Sequence, residues 1–456
     1  MFCTNTFHFK TITTFVVKHH HGKMDKKLNV LLLGSGGREH ALAWKISQSS
    51  LLGQLFIAPG NPGTANHGHN VTVNPLNFDE VKDFCIQNSV DMVVVGPEDP
   101  LVQGIHDSFL SDSNVKHIPV IGPQKVGAML EGSKDFAKEF MFRHGIPTAQ
   151  YKTFTAEKFN HAKDFLKTLN PPYVLKADGL AAGKGVVIVS SYDEACANLR
   201  EFFAGKFGAA SQKVVIEEFL SGIELSVFVL TDGNSYIILP EAKDYKRIGD
   251  GDKGPNTGGM GAVSPVPFAS YDFMNKVEER IVKPTINGLK NDGIPYKGFI
   301  FIGLMNVSGE PYVIEYNVRM GDPETEVVMP RIKSDLLAVL LACSQNRLSE
   351  VSLEVDSLTA TTVIVVSGGY PNAYEKGKEI SIPETIPSNA ILFHAGTTIS
   401  NGKLVTAGGR VFACSALGNS IDQALEKSYT LAKNIKFDNL YYRNDIGKDL
   451  LKLQNQ

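Results

Sequence analysis

Cysteine is scarce in this chain. There are five in 456 residues (Cys3, Cys85, Cys196, Cys343, Cys414), scattered and without a CxxC pair. That pattern excludes a disulfide framework and a cysteine-based zinc site, and it fits a reducing, cytoplasmic setting. No apolar run reaches the length needed to span a bilayer, so no membrane partner is expected. Net charge is −3 and no dense basic stripe occurs, which argues against nucleic acid. Tandem repeats and low-complexity tracts are also missing. Residues 1–23 contain neither an acid nor an arginine, but do carry Lys10, Lys18, Lys23 and His19 to His21. They read as a disordered extension ahead of Met24, whose DKKLNVLLLGSGG looks like a natural start. A transit peptide is the alternative, and the lack of arginine counts against it.

What remains is ordinary globular composition, 43% hydrophobic and 20% charged, long enough for about three domains. From Leu28 the order is strand, glycine turn, helix (LNVLLLG, SGG, REHALAWKISQS). Strands QLFIAPG, DMVVVGPE and PVIGP follow, with the helical FDEVKDFCIQN before DMVVVGPE. Buried apolar strands alternating with helices imply a doubly wound parallel sheet ending near Gln124. A helix GAMLEGSKDFAKEFMFRHG leads to a break at Ile146-Pro147. An α+β region comes next: YVLKA, the loop DGLAAGKG, VVIVS, the helix YDEACANLREFFAG, then KVVIEEFL and ELSVFVL. A glycine-rich loop runs from Lys243 to Ser264, followed by a helix over Tyr271 to Asp292 and a hairpin over Lys297 to Val318. After a helix over Arg331 to Asn346, ATTVIVVSGG, ILFHAG and GRVFACSALG indicate a smaller α/β domain closed by the helix SIDQALEKSYTLAKNI.

The segment YVIEYNVRMGDPETE (Tyr312 to Glu326) carries the most chemistry. Strand alternation puts Glu315, Asn317 and Arg319 on one face, with Ile314, Tyr316 and Val318 on the other. An acid and an amide are hard oxygen ligands for Mg²⁺, and an arginine beside them offsets charge on a phosphoryl group. A solvated strand face is the bland alternative. The turn Gly34, Gly36, Gly37, Arg38, Glu39 opens the first helix and suits one phosphate. Glu39 stands where GxGxxG needs its third glycine, which disfavours a dinucleotide. The loops holding Asn61 and Glu98 end strands of the same sheet and are expected to converge with it on a small substrate. Gly179, Gly183, Lys184 and Gly185 form a small-residue loop able to cover phosphates, without being a Walker A motif. Lys176 and Lys134 are placed to reach phosphates as well. Glu217, Glu218, Phe219 and Leu220 suit an adenine, and Glu224 suits a ribose. Ordinary turns, surface lysines and solvated acids are the alternatives for each piece alone. The 243–264 loop is too polar for a core and too long for a connector, and Met260 followed by AVSPVP suggests that it docks.

GSGGREHALAWK, VGPEDPL, EGSKDFAK, KADGLAAGKGV, GPNTGGMGA, EYNVRMGDPET and FHAGT, in that order, resemble the phosphoribosylamine–glycine ligases (glycinamide ribonucleotide synthetases) of the ATP-grasp superfamily. The resemblance covers nearly all of Asn29 to Leu450. It implies a Rossmann-like (pre-ATP-grasp) domain at 24–124, an ATP-grasp domain at 125–330 with a lid near 148–213, and a small C-terminal α/β domain at 331–456. It also implies a purine-biosynthetic ligase joining glycine to 5-phosphoribosylamine with ATP and Mg²⁺ (or Mn²⁺), expected as a stand-alone monomer. Arg319, Asp322 and Lys184 are then the catalytic residues, and Glu315 and Asn317 the metal ligands. Lys134, Lys176, the 179–185 loop, Glu217 to Leu220 and Glu224 hold the nucleotide. The sugar phosphate takes the Gly34 to Glu39 turn. Asp244, Arg247, Asn256, Thr257, Gly258 and Glu324 place glycine and the amine. Many ATP-grasp enzymes have a further metal carboxylate on the preceding strand, whereas here it reads Phe301 to Met305 without an acid. Three rival readings are a nicotinamide oxidoreductase, a catalytically dead nucleotide-binding module, and an ATP-grasp ligase for another acid.

Overall fold

The computed structural model describes residues 27–181 and 185–454. The segment 1–23, Gly183 and Lys184 lie outside the described residues.

The first apolar run, Leu28–Gly34, forms the centre of a five-stranded parallel sheet. Val30 to Leu33 lie between Leu55 to Ala58 on one side and Met92 to Val95 on the other. Strands His69–Asn70 and Val120–Ile121 are the edges. Val30, Leu31, Leu32 and Leu33 are fully buried, as strands covered on both faces require.

Two antiparallel layers make the central region. Lys213–Glu217 pairs with Tyr151–Thr155 and Tyr173–Ala177, and Val186–Val189 completes that sheet. Its core is its own: Phe154, Phe165, Leu175, Leu199 and Phe202 cluster apart from the main core. The second layer is Tyr236–Ile238, Ile223–Thr231, Gly298–Val307 and Glu310–Asn317, in that order.

The last sheet runs Lys243–Asp244, Gly261–Ser264, Thr359–Val366, Arg410–Gly418, Ala390–His394. Its first two strands come from the glycine-rich segment, so that segment does dock, onto the C-terminal sheet.

Three expectations change. The helix expected over 127–145 is two helices, Lys125–Gly132 and Lys134–Arg143. Ser133 between them is extended and caps the second by accepting from Phe136 N, the role in which serine competes best with helical backbone. The helix expected over 331–346 begins at Leu336, capped by Asp335, and a separate helix, Thr325–Arg331, precedes it. Ile314 does not share the face of Tyr316 and Val318. A bulge leaves it without a cross-strand partner, because Glu315 pairs Gly303 while Val313 pairs Leu304.

Candidate active site

A cleft of about 530 Å³ lies between the two central layers and opens toward the N-terminal sheet and the C-terminal domain. Its base is the strand Glu310–Asn317. Glu315, Asn317 and Arg319 all line it. The strand opposite offers room there: a Cβ on Gly303 would come 3.2 Å from Glu315 Cγ. Among the described residues neither the Glu315 carboxylate nor the Asn317 amide makes a hydrogen bond. Burial alone would push the Glu315 carboxyl up, but Lys246, Lys176 and Lys134 together hold it below its ordinary value.

Those lysines come from three elements. Lys134 opens its helix and donates to the Gly179 carbonyl at 3.1 Å, and burial depresses its pKa. Lys176 reaches Glu217 Oε2 at 3.0 Å and the carbonyl of the bulged Ile314 at 3.3 Å. Lys138, one helical turn beyond Lys134, shares the same Glu217 oxygen at 3.2 Å and donates to Thr148 at 2.8 Å. Burial lowers the Lys138 pKa to about 8. Glu217 is therefore an anchor for two lysines, while its Oε1 is buried without a partner among the described residues. Burial would raise the Glu217 carboxyl, and the two lysines overcome it to hold the group low.

Apolar side chains form one end of the cleft. Phe219 and Ile188 remain 40% and 45% exposed, and Val174, Val186, Leu220 and Met305 line the same space. Large uncovered apolar groups in a concave site make a slot for a flat ring. Glu218 is tied to Gln150, accepting from its backbone N–H at 2.8 Å. Glu224 pairs with Lys246 at 2.6 Å.

The other end is a network of acids and arginines. Arg319 binds Glu131 at 2.9 Å and Glu98 at 3.2 Å. Glu131 also accepts from Val318 N at 2.8 Å, fixing where the chain leaves the strand. Burial pushes the Glu131 carboxyl up to about 7, against the pull of Arg319. Arg38 donates to Glu39 at 2.6 Å. Glu324 is 3% exposed, accepts from Ser226 at 2.9 Å, and is raised to about 7 by burial and then by Asp244. Asp244 is itself raised by burial despite Lys246.

Not every expected site residue meets the cleft. Gly34, Gly36, Gly37, Glu39, Asn61, Gly179 and Arg247 stand outside its walls, whereas Gly185, Arg38, Glu98, Asp244, Asn256, Thr257, Gly258, Asp322 and Glu324 line it. Gly34 of the first turn and Gly96 of the loop after Met92–Val95 clear a carboxylate of the chain itself: a Cβ on either would fall 2.5 or 2.2 Å from the Glu39 side chain. Glu39 in turn accepts from Gly36 N at 2.7 Å. Asn61 donates to the Ser35 and His394 carbonyls, at 2.9 and 3.0 Å. Arg247 donates to the Gly254 carbonyl at 2.8 Å. Residues that sequence reasoning passed over are Glu131, Lys138, Lys246 and Arg410. The first two lie in EGSKDFAK, and a helical reading that placed Lys138 one turn from Lys134 would have found the second lysine.

The fold defines an ATP-grasp protein. The biotin carboxylase domain of a 2-oxoglutarate carboxylase from Hydrogenobacter thermophilus shares it, with a TM-score of 0.69 over 94% of each chain at 18% identity. Three family models go further and match in sequence order: the phosphoribosylglycinamide synthetase N domain at residues 28–131, its ATP-grasp (A) domain at 132–325 and its C domain at 360–449. The chain belongs to the phosphoribosylglycinamide synthetase family. It is 46% identical over 420 residues to a phosphoribosylamine–glycine ligase of Rhizobium meliloti, covering 92% of this chain and 98% of that one. To the Chlorobaculum tepidum ligase it is 47% identical, covering 93% and 100%. A bifunctional purine biosynthetic protein of Pichia angusta is 46% identical, and the chain spans 54% of its length. The crystal structure of the Thermotoga maritima phosphoribosylamine–glycine ligase superposes with a TM-score of 0.80 at 38% identity, covering 92% of this chain and 100% of that one. No helix among the described residues is long and apolar enough to cross a membrane.

Proposed function

We propose that this chain joins glycine to 5-phosphoribosylamine with ATP, giving glycinamide ribonucleotide, ADP and phosphate, a step of de novo purine biosynthesis. The observation that carries this is the pair Glu315 and Asn317, free of hydrogen bonds among the described residues and facing a cleft ringed by Lys134, Lys176 and Lys246.

That donor set fits a divalent cation. Two hard oxygens are few, and among the described residues no cluster of three or more acidic, histidine or cysteine ligands exists. Such a site suits Mg²⁺, which keeps water and substrate phosphates as ligands; Mn²⁺ fits the same oxygens. A cation held by Glu315 and Asn317 would offset charge on the nucleotide's phosphates. The lysines bind those phosphates, and Phe219, Leu220, Val186 and Ile188 sandwich the base.

Glycine's carboxylate attacks the γ-phosphorus, forming glycyl phosphate and releasing ADP. The amine of phosphoribosylamine then attacks the acyl carbon, phosphate leaves, and the amide forms. Arg319, held by Glu98 and Glu131, stabilises the transferring phosphoryl group. Asp322, Glu324, Asp244 and the Asn256 to Gly258 stretch place glycine and the amine, and Arg38 faces the sugar phosphate. The layer built on residues 148–213 excludes water, since an acyl phosphate in open solvent hydrolyses.

Phosphate release measured with ATP, glycine and fresh phosphoribosylamine, each omitted in turn, tests this. Release needing all three is expected. Turnover that persists without phosphoribosylamine, or none with the full set, rules the reading out.

A further inference from the structure

Two side chains of the C-terminal domain grip a single residue of the glycine-rich segment, one on each of its flanking peptides. The Gly258 N–H donates to Tyr370 Oη at 2.9 Å, and the Gly258 carbonyl accepts from Arg410 Nη1. The same guanidinium donates to the Asp322 carbonyl at 2.9 Å and pairs with the Asp322 carboxylate at 3.0 Å. Arg410 thus joins three stretches far apart in sequence: its own strand, the glycine-rich segment, and the turn that follows Glu315 to Arg319.

Glycines make the grip possible. A Cβ on Gly258 would stand 2.9 Å from Arg410 Cζ, and one on Gly409 would stand 2.2 Å from the Tyr370 ring. Arg410, Gly258 and Asp322 all line the cleft. Among the described residues, the hydrogen-bond partners of the Arg410 guanidinium are Gly258 and Asp322, and none of the lysines around Glu315 is tied to it.

We infer that Arg410 is a positioning residue for the half of the site that takes the amino substrates: it sets the Asp322 carboxylate and the Gly258–Gly259 peptide in place from the C-terminal domain. This rests on the ligase reading above. A planar guanidinium can serve two carbonyls and a carboxylate at once, which a lysine ammonium on a flexible stem does poorly.

Steady-state kinetics with each substrate varied in turn provide the test. In Arg410→Ala, KM for glycine or phosphoribosylamine should rise roughly tenfold or more, the size of a lost charge-assisted hydrogen bond. KM for ATP should stay within about twofold, because uniform loss of binding is not expected on the nucleotide side. Arg410→Lys should recover only part of the loss. Tyr370→Phe, which removes the acceptor and leaves the arginine, should move the same KM less. Unchanged KM values for both amino substrates, or equal rises for all three substrates, overturn the inference. Should Arg410→Ala not fold, Arg410→Lys decides: wild-type KM values for glycine and phosphoribosylamine in that variant overturn it. A parent enzyme that releases no phosphate from the full substrate set sinks the ligase reading itself, and this inference with it.

Discussion

Glu315 carries charge where no described residue gives its carboxylate a hydrogen bond, while three lysines hold its carboxyl low. Glu315→Gln keeps the shape and removes the charge. It should abolish ADP formation, with the melting temperature close to that of the parent; near-normal turnover would refute the metal assignment. Glu324 presents the opposite case. Burial and Asp244 raise its carboxyl from 4.5 to about 7. Between those values the folded chain binds more protons than the unfolded one, so this group's contribution to stability is complete below pH 4.5 and is lost as pH rises through about 7. Glu324→Gln should therefore be more stable than the parent at pH 8, by on the order of 1 kcal/mol, and the gain should vanish near pH 5. Melting curves of both proteins at the two pH values check this. A difference that does not change with pH would show that Glu324 titrates normally.

At the scale of elements, the break at Ser133 matters most. Its hydroxyl accepts from Phe136 N at 3.1 Å and donates to Asp178 Oδ1 at 2.9 Å. Asp178 also accepts from Asp135 N at 2.8 Å. One serine thus ends the expected long helix, starts the helix that carries Lys134 and Lys138, and ties it to the strand end beside the 179–185 loop. Ser133→Ala should cost about 1–2 kcal/mol of stability, the price of a lost cap, and raise KM for ATP. Denaturant unfolding and ATP titration test both; a loss of stability with unchanged KM for ATP would separate the cap from the lysines. The bulge at Ile314 is the second decisive local feature. It turns a carbonyl out of the ladder toward Lys176 while leaving Glu315 and Asn317 on the cleft face. Strand alternation foretold the acid–amide–arginine face, but a bulge depends on the partner strand, which sequence does not display.

At the scale of the whole molecule, two hydrophobic cores set what can move. The layer of strands Tyr151–Thr155, Tyr173–Ala177, Val186–Val189 and Lys213–Glu217 packs on itself through Phe154, Phe165, Leu199 and Phe202, whereas the remaining domains share one continuous core. A layer with a separate core can shift as a body over the nucleotide. With Mg²⁺ and a non-hydrolysable ATP analogue, hydrogen exchange should slow in Tyr173–Ala177, Val186–Val189 and Glu217 to Leu220, while Thr359–Val366 stays unchanged. Equal protection in both regions would show that the layer does not close independently.

Read alone, the sequence determined most of the elements and the face that carries Glu315, Asn317 and Arg319. Apolar runs such as LNVLLLG, the acid–amide alternation of Glu315 and Asn317, and the small-residue loop near Gly185 are written within a few residues, where periodicity and turn chemistry act. Only the tertiary structure decided which charges meet. Glu131 and Arg319 are 188 positions apart, Gly258 and Arg410 are 152 apart, and the first glycine turn proved to enclose Glu39. The reason is that an ion pair or a buried contact depends on distance in space, and chain spacing carries no record of that distance until the sheets have packed.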